Sequence, residues 1–168
     1  AGGEVGGAFD ISREPLKVRE RYGAHSWGQQ ALLARRLAEV GVPYTLVNFN
    51  LNQKTGQDWD NHNDIFNVMK TKLLPPTDRA ISALLDDLEE RGLLDSTLVA
   101  VYSEFGRTPK INDKGGRDHW NQVCSVMLAG GGLKRGVVVG SSTKAGDVPK
   151  DRPTPFNDIL ATMYRQMG

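Results

Sequence analysis

The chain has 168 residues, 39% of them hydrophobic and 24% charged, with a formal net charge of +1. That is the make-up of an ordinary globular protein able to bury a core, and its near-neutral balance gives no basis for a nucleic-acid or anionic-membrane partner. No apolar run approaches the length of a bilayer span, and a single cysteine, Cys124, rules out a disulfide framework and Cys-based zinc motifs. Cys124 lies in an apolar run and reads as plain core.

The glycine-rich opening from Ala1 to Gly7 reads as a flexible linker over residues 1–10, ahead of one domain over 11–168. The spacing predicts a helix from Ser26 to Val40, with Leu33, Leu37 and Val40 on its apolar stripe and Arg35, Arg36 and Glu39 off it. Gly41 and Pro43 stop it, and His25, beside its start, suits a capping or packing role. Tyr44 to Phe49 reads as a short buried strand and Asn50 to Asp60 as a polar loop.

A helical stretch begins near Asp64. Pro75 and Pro76 are expected to interrupt it, and Thr77 to cap a fresh start that carries Ile81, Leu84, Leu85 and Leu88 on to Gly92. Thr97 to Ser103 (TLVAVYS) is the clearest buried strand. Glu104 to Gln122 is a long loop rich in Gly, Arg, Lys and Asp, of the kind that carries function. Val123 to Ala129 and Val137 to Val139 read as strands separated by a turn at Gly130-Gly131-Gly132. Thr154 is placed as the cap of a last helix, with Pro155 in its first turn. Phe156, Ile159, Leu160, Met163 and Met167 form its stripe. Strands alternating with helices predict an α/β fold, a sheet covered by helices on its faces. The final strands lack an intervening helix, so at least one pairing is expected to be antiparallel.

The chemistry-bearing residues gather in two loops. The chain has three histidines, and two stand beside or near aspartates, in Trp59-Asp60-Asn61-His62 and Gly116-Arg117-Asp118-His119-Trp120. Glu104 follows the Thr97–Ser103 strand, and ligands of open α/β sheets collect beyond such strand ends. Asp, Glu and neutral His are the donors of a hydrolytic zinc site, and such an ion neutralises a phosphoryl or sulfuryl group. Arg107 and Arg117 flank the same loop with guanidinium forks that fit oxyanions. Each element also has a plainer reading: Asp-x-His is common in loops, Arg is mostly a solvated charge, and the tryptophans can simply wall the loops.

Several stretches together resemble one family. They are Ser26-Trp27-Gly28-Gln29-Gln30, Trp59-Asp60-Asn61-His62-Asn63, Leu84-Leu85-Asp86-Asp87-Leu88, Ser103-Glu104-Phe105-Gly106-Arg107-Thr108-Pro109 and Gly116-Arg117-Asp118-His119-Trp120. The chain is similar to the bacterial domain-of-unknown-function family 1501, itself a branch that looks like the alkaline phosphatase and sulfatase superfamily. The resemblance implies the C-terminal portion of a three-layer α/β sheet covered by helices, with the nucleophile in an N-terminal half that Ala1 to Asp10 does not match.

It further implies that Asp60, His62 and His119 bind one divalent ion, zinc first, with Mn, Mg or Ca as alternatives. Asp118 is a further candidate ligand, and Glu104 would serve a second or orienting position. That second site departs from the superfamily pattern, because Phe105 stands where a histidine ligand is expected. The implied activity is metal-dependent hydrolysis of phosphate or sulfate esters, small-molecule or glycan, with Arg107 and Arg117 on the oxyanion. The alternative is a non-catalytic cell-surface protein that binds glycans or partners on the same scaffold. A periplasmic or exported location is what the family resemblance suggests.

Overall fold

A computed structural model describes residues 2–49 and 59–168. Six helices run in order: α1 (Gly2–Ala8), α2 (Leu16–Tyr22), α3 (Ser26–Glu39), α4 (Ile65–Val68), α5 (Leu74–Glu90) and α6 (Phe156–Met167). The strands are β1 (Leu98–Val101), β2 (Gly106–Arg107), β3 (His119–Trp120), β4 (Met127–Gly130), β5 (Ser141–Ser142) and β6 (Pro149–Asp151). They pair as β1 with β4, β2 with β3 and β5 with β6, all antiparallel. The fold is therefore mixed helix and strand, and the expected antiparallel pairing is present. Among the described residues the pairs are three separate two-stranded sheets.

The core is helical. Tyr22, Trp27, Ala31, Leu32, Val68, Leu73, Ala80 and Ala83 form one buried cluster where α2, α3 and α5 meet, with Phe49 and Trp59 packed against it. The helix from Ser26 appears as read, and His25 caps it through Nδ1, which accepts from Gly28 N at 3.1 Å. Of the expected stripe Leu37 is buried, but the buried face is wider than that stripe. Trp27, Ala31 and Arg35 follow one another at four-residue spacing into the interior, whereas Leu33 is only half-buried.

Arg35 is fully buried because it pairs with three carboxylates: Glu14 at 2.7 Å, Glu39 at 2.6 Å and Asp87 at 2.8 Å. Arg36 also meets Glu14, and Arg91 meets Asp87 at 2.7 Å. Tyr22 Oη donates to Asp87 Oδ2 at 2.9 Å. Burial, reinforced by the charge of Asp87, pushes the Tyr22 hydroxyl far above its ordinary value. One ionic network thus ties the segment before α2 to α3 and α5.

Burial opposes ionisation of Glu14 and Asp87, yet their arginine partners hold both below the ordinary carboxylate range. A folded-state value below the unfolded one contributes stability that is present above the unfolded value and lost as pH falls through the folded one. The melting temperature is therefore expected to hold from neutrality down to about pH 5 and to fall below about pH 4. Thermal melts across that range check this; a melting temperature unchanged down to pH 3 would contradict the network's role.

Several elements differ from the sequence reading. The glycine-rich opening is helical over Gly2–Ala8 and is held down by Arg36, whose guanidinium donates to Ala8 O and Gly7 O at 2.7 and 2.8 Å. A distant cation supplies what the local composition lacks. Pro75 and Pro76 do not break the helix. A π turn over Met69–Leu73 widens the backbone just before them, and both fall in the first turn of α5, where a missing N–H costs little. Thr77 is inside that helix, donating to Leu73 O at 2.7 Å. Gly92, at φ 67°, ends it as expected.

Tyr44 to Phe49 forms no strand among the described residues, and Tyr44 and Leu46 are exposed. The rest of the loop read at Asn50 to Asp60 lies, up to residue 58, outside the described residues. β1 is only half-buried along its length, since it has one strand neighbour. Val137 to Val139 is exposed and forms no strand, and Cys124 is half-buried. Thr154 gives α6 no cap; Pro155 takes that position, and Thr154 Oγ1 turns to Arg152 O. The apolar stripe of α6 stays half-open, with Phe156, Leu160 and Met167 each exposed by 45% or more. The triple glycine is a turn at φ 76°, 57° and 66°, as read. No described helix is long and apolar enough to cross a membrane.

Candidate metal centre

The helical core reaches the loops through aromatic stacking. Trp27 stacks on Phe49 at 5.3 Å and on Trp59 at 5.9 Å, and Trp59 Nε1 donates to Phe49 O at 2.7 Å. Asp60 follows Trp59 directly, so its backbone is anchored to the core. The second arm is the Glu104–Gln122 loop, whose ends pair as β2 and β3. Register sets Arg107 opposite His119, and both side chains reach Asp60.

The two arms are joined by backbone. Arg117 N donates to Asn61 O, Asp64 N to Lys114 O and Ile65 N to Gly115 O, at 3.0–3.2 Å, with a bridge between Asn63 and Gly115. Gly116 lies so close to His62 that a Cβ there would sit 2.0 Å from the His62 carbonyl carbon. The absence of a side chain at Gly116 is what lets the arms meet.

Three donor atoms converge at this junction. Asp60 Oδ1 is 2.8 Å from His119 Nε2 and 3.1 Å from His62 Nε2, and the two imidazole nitrogens are 3.2 Å apart. Ligand atoms of a tetrahedral zinc ion with bonds of 2.0–2.1 Å are separated by about 3.3 Å. The triangle is therefore nearly the size a small dication needs, and Asp60, His62 and His119 form a group that could hold one.

Hydrogen bonding prepares these atoms. His62 Nδ1 is 2.7 Å from Asp118 Oδ1, and an ionised carboxylate can only accept. His62 Nδ1 therefore carries the proton, and in the neutral ring Nε2 presents a bare lone pair to the triangle. A carboxylate orienting a histidine in this way is the usual support behind a metal ligand.

Hydrogen bonds from His119 first, and then from Arg107, hold the Asp60 carboxyl down at about 2. Those from His62 and then Asn112 hold Asp118 below its ordinary value. Both carboxylates are thus charged at neutrality. In the metal-free arrangement a proton on His119 Nε2 can bridge to Asp60 Oδ1, and a dication can replace it. The donor set fits zinc, and two imidazoles with one carboxylate also suit iron(II).

Not every predicted site residue joins the triangle. Asp118 stands behind His62. Glu104 lines a separate groove with Tyr102, Ser103, Val126, Phe156 and Leu160. Arg107 Nη2 donates to Asp60 Oδ1 at 2.6 Å and to Trp59 O at 3.2 Å, so half of its fork already serves the protein. Its Nη1 is shielded and has no hydrogen-bond partner among the described residues. Arg117 Nη1 donates to Thr108 O and Pro109 O at 2.6 and 2.7 Å, which makes it a brace for the loop.

Phe105 packs its ring 4.4 Å from that of His119 and walls the site on that side. Sequence reasoning passed over Asn112, which holds the loop turn and Asp118 together. An Asn four residues before a Gly in a polar loop was the signal available for it.

No curated protein and no solved structure matches the chain. One family profile, described as "Protein of unknown function (DUF1501)", matches residues 1–168, and the chain belongs to that family.

Proposed function

We propose that this protein contributes a metal centre for the hydrolysis of phosphate or sulfate esters, on the alkaline-phosphatase-like three-layer scaffold that its family resemblance implies. The observation that carries the reading is the convergence of Asp60 Oδ1, His62 Nε2 and His119 Nε2 to within 3.2 Å of one another. Two nitrogens and one oxygen leave a coordination position open, which distinguishes catalytic zinc sites from closed structural ones. A bound divalent ion would supply Lewis acidity toward an ester oxygen and lower the pKa of water or a hydroxyl.

The chain's own residues would support that ion, and the nucleophile belongs to the N-terminal half that the resemblance implies. Asp118 keeps His62 in the tautomer that offers Nε2. Arg107 orients Asp60 through Nη2. Arg117 braces the loop, and Phe105 shields one face of His119 from water.

The test is metal content by plasma mass spectrometry, with turnover of chromogenic aryl phosphate and aryl sulfate, for the protein and its His119→Ala variant in the longest soluble chain. Metal in the wild type and its loss with turnover in the variant is the expected result. No retained metal after zinc or manganese loading, or near-normal turnover in the variant, would sink the proposal. A second reading, a non-catalytic glycan- or partner-binding protein, draws support from the single metal-holding group found among the described residues. Metal retention and glycan binding without ester hydrolysis would favour it.

A further inference from the structure

Asn112 uses every hydrogen-bonding position of its side chain. Oδ1 accepts from Lys114 N at 3.0 Å and from Gly116 N at 2.9 Å. Those partners are unambiguous donors, so the amide orientation is settled by chemistry. Nδ2 then faces two acceptors, His62 O at 3.0 Å and Asp118 Oδ1 at 3.1 Å. The backbone closes the same turn, with Asn112 N donating to Gly116 O at 2.9 Å and Gly115 N to Asn112 O at 3.0 Å.

The two functions of this side chain are separable. The oxygen shapes the turn that brings Gly116 against His62. The nitrogen clamps the His62 main chain and, on the other side, the very carboxylate oxygen that receives His62 Nδ1. Asp118 is exposed and hangs from a loop, so one hydrogen bond to an imidazole would not hold its rotamer. Its backbone is tied by Thr108, whose hydroxyl accepts from Asp118 N at 3.0 Å. Of the hydrogen bonds that fix the carboxylate itself, the Asn112 amide supplies one and His62 the other.

We propose that Asn112 is a positioning residue of the metal centre, its Nδ2 holding the Asp118 carboxylate and the His62 carbonyl so that His62 presents Nε2 to the ion. This inference rests on the metal-centre reading for its effect on affinity, but its effect on the tautomer is independent of any metal. Replacement of such a supporting residue lowers metal affinity by about 10- to 100-fold.

The decisive variant is Asn112→Asp. It keeps an oxygen for the Lys114 and Gly116 amides and turns the Nδ2 donor into a carboxylate oxygen that faces His62 O and Asp118 Oδ1, while Asn112→Ala removes both interactions without adding charge. The readouts are the nitrogen-15 shifts of the His62 ring in the metal-free protein, and zinc affinity by competition with a chromogenic chelator. The expected wild-type ring carries its proton on Nδ1. In Asn112→Asp the expected ring is a mixture of tautomers, and zinc affinity falls 10- to 100-fold with the melting temperature little changed. A variant that keeps the Nδ1–H tautomer, and zinc affinity within twofold, overturns the proposal. So does outright loss of the fold in Asn112→Asp, which would make the residue purely structural. A wild type that binds no zinc refutes the metal-centre reading instead, and the tautomer measurement still decides the role of Asn112.

Discussion

Arg35→Ala is expected to cost about 3–5 kcal/mol of stability at neutral pH, the usual penalty for removing one partner of a buried ionic group. Glu14 and Asp87 are each 8% exposed or less. Losing Arg35 leaves them with Arg36 and Arg91 as their remaining cations. The variant also opens a cavity where a guanidinium and its stem packed against Tyr22 and α5.

The pH dependence separates the ionic effect from the cavity. With Arg35 present, both carboxyls sit below their ordinary values, and acid removes their contribution to stability. Without it, Glu14 keeps Arg36 and Asp87 keeps Arg91, so both are held down less and acid removes less stability from the variant than from the wild type. The difference in melting temperature between wild type and variant should therefore shrink from pH 7 toward pH 4. A difference constant across that range would assign the loss to packing alone.

The second large effect is expected at Gly116. An alanine Cβ there would lie 2.0 Å from His62 C, 2.2 Å from His62 O and 2.3 Å from Asn63 N. These are backbone atoms and cannot swing aside as a side chain could. The two arms must separate, and His62 must move away from His119. Metal ligand distances are held to within about 0.2 Å, so a shift several times larger removes a ligand. Gly116→Ala is expected to reduce zinc affinity by at least about 100-fold, near the upper end of what supporting residues contribute. The helical core is built mainly from α2, α3 and α5 and should keep its far-ultraviolet circular dichroism and most of its melting temperature. Zinc binding close to wild type would show that the junction yields without disturbing the ligands.

Much of the helical framework was legible from spacing. α3 could be placed from its stripe, its His25 start and the Gly41 stop, and α5 from its apolar repeat and Gly92. These are local signals: a helix period, a cap and a left-handed glycine each act within a few residues. The donors Asp60, His62 and His119 were also legible, because two loops combining Asp and His are conspicuous among three histidines in all. That Phe105 breaks the expected pattern was visible too.

What lay beyond the sequence depended on residues far apart in the chain. Periodicity places Arg35 on a face of α3 but is silent on the carboxylates of Glu14 and Asp87, which make burial of that charge tolerable. Pro75 and Pro76 look like a helix break until a π turn just before them places both at the start of α5. Val137 to Val139 has the composition of a strand and no partner to pair with. At the candidate metal centre the sequence by itself determined which residues could be donors. Only the tertiary structure decided their register: Arg107 opposite His119, Gly116 against His62, and Asn112 behind Asp118. The reason is that a metal site is set by separations of a few ångströms between loops some 50 residues apart, and those separations are fixed by backbone contacts no local pattern encodes.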